Sequence, residues 1–117
     1  IANRQQPVVS LMGDGGIQFS LPELATAVEE KVGIIVLLWN NFGYQEIKRA
    51  MQREGLPTIG VDIYTPDFVE IAKGYGCETI EIESIDQLQS AVIVAQRSDV
   101  PTFLLLDEAK LYAEMKA

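Results

Sequence analysis

Apolar residues in this chain fall into short dense runs, separated by stretches in which they recur every three or four residues. That alternation predicts strands interleaved with helices. Pro7–Met12 is short and β-rich, and Gly13-Asp14-Gly15-Gly16 stops it. A helix is expected from Ser20, with Ser20 and Glu23 as a capping box and Pro22 in the first turn, where its missing N–H costs nothing. Leu21, Leu24, Ala25, Val28 and Val32 would form its apolar face. Gly33–Trp39 is apolar throughout, as in a strand buried on both faces, and Asn40-Asn41-Phe42-Gly43 ends it.

The second half continues the pattern. A helix over roughly Tyr44–Glu54 would carry Ile47, Ala50 and Met51 on one face, and Gly55 closes it. Leu56–Tyr64 reads as a loop. Thr65 or Pro66 opens a short helix whose face is Phe68, Ile71, Ala72 and Tyr75. Cys77–Ile82 is a third strand, Ser84 caps a helix running to about Arg97, and Pro101 introduces a fourth strand over Thr102–Leu106. Asp107–Ala117 reads as a surface or domain-crossing helix. Strands joined by crossover helices imply an α/β domain, a doubly wound and mostly parallel sheet with helices on both faces. Ligands of such sheets bind beyond the carboxyl ends of the strands, which selects the loops Gly13–Gly16 and Asn40–Gly43.

Composition narrows the chemistry. The 117 residues suit one domain, residues 1–117. The net charge of −8 comes with no basic cluster, so nucleic-acid binding is not expected. There is no histidine, which removes a Ser-His-Asp triad, a histidine base and histidine-ligated zinc from the chain's own repertoire. Cys77, the single cysteine, forms no internal disulfide and reads with Tyr75 as core, so a reducing, cytoplasmic setting is expected. Ile34–Trp39 is too short to span a bilayer. The opening Ile1-Ala2-Asn3-Arg4 reads like an internal cut.

Each selected loop has an ordinary reading and a chemical one. Gly13, Gly15 and Gly16 permit positive φ and close approach of a ligand to the backbone. Asp14 between them is a hard oxygen ligand at a strand end, yet Asp-Gly turns are common there. Asn41 offers an amide oxygen and Gly43 a backbone oxygen, yet paired asparagines also serve turns and helix caps. Mg²⁺ takes six oxygens at about 2.0–2.1 Å and often shares them with substrate phosphates. Asp14, Asn41 and the Gly43 carbonyl would leave positions for phosphate oxygens and water.

Taken together, Gly13-Asp14-Gly15, a helix, a buried strand and then Asn40-Asn41 resemble the signature of thiamine-diphosphate-dependent enzymes of the 2-oxo acid decarboxylase and acetolactate synthase kind. Asp14 and Asn41 stand 27 positions apart, and Glu23-Leu24-x-Thr26-Ala27 between them is similar to a stretch of that family. The resemblance covers roughly Pro7 to Leu106. It implies that Asp14, Asn41 and the Gly43 carbonyl bind Mg²⁺, and that Gly13, Gly15, Gly16 and the loop after Asn41 hold the diphosphate. Tyr44, Gln45 and Glu46 would open the helix facing the diphosphate and substrate, its dipole favouring anions. Glu46 could reach substrate as a catalytic group, though an acid in a first helical turn is also ordinary.

The resemblance further implies decarboxylation of a 2-oxo acid through a cofactor-bound enamine, with an acetolactate synthase-type carboligase as the rival. Acids around Glu46 and Asp62 make a substrate with a basic tail conceivable. The family's cofactor lies between two domains. With twelve residues before Gly13, the glutamate-bearing pyrimidine-binding domain and the domain's own first strand and helix are expected to lie elsewhere, in the same or a neighbouring subunit of a homo-oligomer. The fragment alone is expected to be inactive, with exposed edges that favour self-association. Other classes fit less well. A dinucleotide-binding domain would show Gly-x-Gly-x-x-Gly. A response regulator would need an earlier acidic pair and a lysine closer to the last strand than Lys110. A non-catalytic interaction domain remains open.

Overall fold

The computed structural model describes residues 6–116. The chain's opening, residues 1–4, and Ala117 at the end of the expected last helix lie outside the described residues. The elements run β1 (Val8–Gly13), α1 (Asp14–Ile17), α2 (Glu23–Glu29), β2 (Ile34–Asn40), α3 (Gln45–Arg53), α4 (Phe68–Gly74), β3 (Glu78–Ile82), α5 (Ile85–Ala95), β4 (Thr102–Asp107) and α6 (Glu108–Lys116). The strands form one sheet in the order β1-β2-β4-β3, and every neighbouring pair is parallel.

Topology and side-chain alternation together decide where the helices lie. The connections from β1 to β2 and from β2 to β3 advance across the sheet, whereas the one from β3 to β4 turns back. Right-handed crossovers therefore place α1, α2 and α4 on one face and α5 on the other. The core divides accordingly. Val36, Leu38 and Phe103 pack with Ile17, Leu24, Phe68, Ala72 and Cys77 on one face. Ile35, Leu104, Leu106 and Ile82 pack with Ala91, Ala95 and Leu111 on the other. Successive residues of β2 and β4 thus serve opposite faces, and the register holds Val36 beside Phe103 and Leu38 beside Leu105. The doubly wound α/β architecture is the one the sequence implies.

Local expectations fail in three places. No side chain caps α2, and Pro22 occupies its N-cap position. Ser20 contributes its carbonyl oxygen, which accepts from Glu23 N at 3.0 Å, because the chain is already coiled from Asp14 onward. The short helix α4 is capped neither by Thr65 nor by Pro66. Asp67 accepts from Glu70 N at 3.1 Å, a conventional carboxylate N-cap. Helix α3 buries none of its residues, and Ile47, on its expected apolar face, is 52% exposed. The expected Ser84 cap is present, accepting from Gln87 N at 3.2 Å. β1 is an edge of the four-stranded sheet, with Val8, Val9 and Leu11 exposed.

These burials predict a contrast. Leu38→Ala should lower the unfolding free energy by about 2–5 kcal/mol, whereas Ile47→Ala should change it by no more than about 0.5 kcal/mol. Denaturant titrations of the two variants provide the check, and a large loss for Ile47→Ala would contradict the placement of α3.

Candidate functional site

The carboxyl ends of β1 and β2 lie side by side, Gly13 in register with Trp39, so the two loops selected from the sequence meet. Asp14 leaves β1 directly into the single turn of α1 and is only 2% exposed. Its Oδ2 accepts from Gly43 N at 2.8 Å. No described lysine or arginine pairs with it. A carboxylate withdrawn from water in this way requires donors or a cation.

Asn41 stands over the same carboxylate. With its nitrogen turned inward, the amide donates to the Gly43 carbonyl oxygen at 3.0 Å and to Asp14 Oδ1 at 3.2 Å. With its oxygen turned inward, three oxygens converge at those separations. Adjacent oxygens around Mg²⁺ at about 2.0–2.1 Å would lie about 2.9 Å apart. The donor set therefore fits a small hard cation. Among the described residues no three His, Cys, Asp or Glu gather as ligands, so a cation here would depend on further oxygens from a ligand or water.

Backbone strain shapes the second loop. Asn40 Oδ1 accepts from Phe42 N at 3.1 Å, an Asx turn, and the turn carries Phe42 into the left-handed region at φ 60°. Gly43 follows at φ 129°, and a methyl group there would meet the Val61 carbonyl oxygen at 2.9 Å. Tyr44 N donates to that same oxygen at 3.0 Å. Val61 is buried, and Asp62 beside it pairs with Lys48 of α3 at 2.6 Å. The loop between α3 and α4 thereby holds the start of a helix that has no core contact of its own.

The glycines of the first loop serve differently from expectation. None of Gly13, Gly15 and Gly16 has positive φ, because Asp14–Ile17 is a helical turn. Gly15 is required by close approach, since a methyl group there would meet the Tyr44 ring at 2.5 Å. Gly16 faces open space, with nothing within 4 Å of such a methyl group. All nine residues nominated from the sequence (Gly13, Asp14, Gly15, Gly16, Asn41, Gly43, Tyr44, Gln45 and Glu46) line one open cleft of about 190 Å³, together with Ile47.

Behind the cleft lies a cluster that the sequence reading missed. Glu108, the first residue of α6, accepts from Trp39 Nε1 at 2.7 Å and from Arg49 Nη2 at 2.8 Å. Arg49 also pairs with Glu46. Hydrogen bonds from the Trp39 indole and then Arg49 hold the Glu108 carboxyl below its ordinary range, although burial opposes them. The sequence did hold a signal. Asp107-Glu108 ends a strand adjacent to β2, with Asn40 in register with Asp107. Glu46 and Asp62 are each paired with a cation of the chain itself, so their charge does not argue for a basic substrate.

Residues 1–106 match the C-terminal TPP-binding domain of thiamine pyrophosphate enzymes. The chain belongs to this family. Among relatives of this TPP-binding domain, a probable 2-ketoarginine decarboxylase of Pseudomonas aeruginosa is 37% identical over 86 residues, covering 73% of this chain and 15% of that protein. An acetolactate synthase of Bacillus subtilis is 32% identical over 99 residues, covering 85% of this chain and 17% of the synthase. The crystal structure of a benzoylformate decarboxylase from Polynucleobacter necessarius superposes with a TM-score of 0.81 at 30% identity, covering 91% of this chain and 20% of that one. The chain thus spans under a fifth of the two curated relatives' length. No helix among the described residues is long and apolar enough to cross a membrane.

Two substitutions separate the glycine roles. Gly43→Ala should destabilise the domain by about 1–3 kcal/mol through backbone strain alone, with the Val61 contact adding to it. Gly16→Ala should leave the melting temperature within about 1 °C of wild type, since surface changes of this kind cost little. Calorimetric melting of both variants tests the pair of expectations.

Proposed function

We propose that this TPP-binding domain anchors the cofactor's diphosphate through Mg²⁺, within an enzyme that decarboxylates a 2-oxo acid. The observation that carries the reading is the convergence of Asp14 Oδ1, the Asn41 amide and the Gly43 carbonyl oxygen beside the open backbone at Gly16. Asp14, Asn41 and Gly43 would ligate Mg²⁺. Gly16 leaves room for the diphosphate to approach the chain, with Gly13 and Gly15 beside it in the same cleft. Tyr44, Gln45 and Glu46 open α3 at the cleft, where the unpaired amides of a helical first turn favour anionic groups. Bound there, the cofactor would supply the electron sink for loss of CO₂.

The protein's part is orientation and electrostatics. Glu46 lines the cleft and is the carboxylate available to meet substrate, while its pairing with Arg49 steadies it. The pyrimidine end of the cofactor would be held by a further domain of the same or a neighbouring subunit, in a homo-oligomer in which the exposed apolar residues of β1 are covered. A single buried cysteine accords with a reducing, cytoplasmic setting. The similarity to a 2-ketoarginine decarboxylase favours a 2-oxo acid with a polar tail. The similarity to an acetolactate synthase, which extends over more of the chain, favours a second reading as a carboligase.

The test is calorimetric titration of thiamine diphosphate into the full-length protein, with Mg²⁺ or with EDTA. Binding should be saturable and Mg²⁺-dependent, weakened at least tenfold in Asp14→Ala, and weakened in Gly16→Ala without loss of thermal stability. Equal binding by folded Asp14→Ala would overturn the anchoring role.

A further inference from the structure

The amino end of a helix leaves its first amides without partners inside the helix, and they attract any acceptor within reach. In α3 the amide of Lys48 is the first to find one, donating to the Tyr44 carbonyl oxygen at 2.9 Å. The amides of Gln45, Glu46 and Ile47 precede it, and no side chain caps the helix. These three residues line the cleft, and no lysine or arginine lines it with them. An acid in a first helical turn competes for such amides, because its carboxylate is drawn to the same positive end that would hold a diphosphate. Glu46 is that acid.

Glu46 is instead turned along the helix, where its Oε1 accepts from Arg49 Nη1, three residues further on. Such neighbours meet on a helix surface, but a lone exposed pair holds neither partner firmly. Arg49 differs because its guanidinium is a fork with a second attachment. Its Nη2 donates to Glu108 Oε1 at 2.8 Å. Glu108 opens α6, and its side chain is only 14% exposed. Its Oε2 accepts from Trp39 Nε1 at 2.7 Å. Trp39 belongs to β2, in register with Gly13 on one side and Leu106 on the other, and Tyr112 meets its ring edge-on with centroids 6.3 Å apart. The far side of Arg49 is therefore tied to the sheet. Glu46, with a side chain 76% exposed, has no comparable tie of its own.

We propose that Arg49, braced by Glu108 and Trp39, is a positioning residue that holds the Glu46 carboxylate away from the amino end of α3 and keeps the first-turn amides for the diphosphate. This rests on the diphosphate-anchoring role argued above. Released from Arg49, the carboxylate folds back over those amides, and the diphosphate then meets a like charge and loses donors. A charge at an exposed helix end changes affinity by about two- to fivefold.

The experiment is calorimetric titration of thiamine diphosphate with Mg²⁺ into the full-length protein, with melting followed in parallel. Arg49→Gln should weaken binding about two- to fivefold, and Arg49→Lys should recover part of the loss, since an ammonium still draws Glu46 along the helix. Arg49→Lys also carries the test if Arg49→Gln fails to fold. The decisive comparison is in the Glu46→Ala background. With no carboxylate to hold aside, Arg49→Gln should there leave the affinity where Glu46→Ala alone sets it. Weakening by the same factor in both backgrounds would mean that Arg49 attracts the diphosphate as a cation, or supports the fold, and would overturn the proposal. Equal binding by folded Asp14→Ala would remove the anchoring site and this inference with it. Loss of binding in Asp14→Ala, with Arg49→Gln folded and binding as wild type does, would remove the inference alone.

Discussion

A carboxylate taken almost wholly out of water is expensive to keep ionised, and the site is arranged around that expense. Asp14 lies at the end of an edge strand, and the groups that meet it come from the loop beyond the next strand. Gly43 N donates to one of its oxygens at 2.8 Å, and the Asn41 amide stands at the other. This contact joins residues 29 positions apart and fixes the second loop relative to the first. Neutral donors offset only part of the desolvation of an anion. A cation at the same oxygens would complete the compensation, so under the proposed function the stability of the loop pair and the affinity for metal would be expressions of one electrostatic demand.

A helix without a buried residue also has to be held in its place. Nothing of α3 enters either core cluster. Its start is set by polar and backbone contacts: Tyr44 N to the Val61 carbonyl, Lys48 to Asp62, and Arg49 to Glu46 and Glu108. Exposed ion pairs contribute little individually. The backbone contact is of a different kind, because Val61 is buried and Gly43 approaches its carbonyl more closely than any side-chain-bearing residue could. The supporting loop is therefore as much a part of the cleft as the residues that line it.

Much of this was legible in the sequence because periodicity reports burial. The four strands and the two-faced core follow from dense apolar runs, and the register of β2 with β4 explains why both runs lack alternation. The pairing of Gly13–Gly16 with Asn40–Gly43 was legible because parallel neighbours place their carboxyl ends together. The exposure of helix α3 was not legible, because Ile47, Ala50 and Met51 have helical spacing and spacing does not say whether a core lies opposite. Gly15 was assigned to backbone freedom when its reason is the Tyr44 ring, a contact between loops that no local pattern records. Glu108 went unrecognised for the same cause. Its partners are 69 and 59 positions away, and only the sheet order β2-β4 makes them neighbours.

The distribution of charge then bears on where selectivity can reside. Glu46 and Asp62 are bound to Arg49 and Lys48 of α3. They present neutralised pairs to a ligand. The charge in the cleft free of such pairing is that of Asp14, which is buried against Asn41 and Gly43 and faces the anchoring end. Under the proposed function, a cleft so arranged would discriminate by accepting a cation with its phosphates, and its paired acids would offer little with which to choose among substrate tails. Glu46 is the exception in position, since it lines the cleft and its ion pair is exposed. An exposed pair exchanges partners at small cost. Under the proposed function, choice of substrate would then fall to groups brought opposite Glu46 from outside this cleft, with this chain fixing the point from which they are measured.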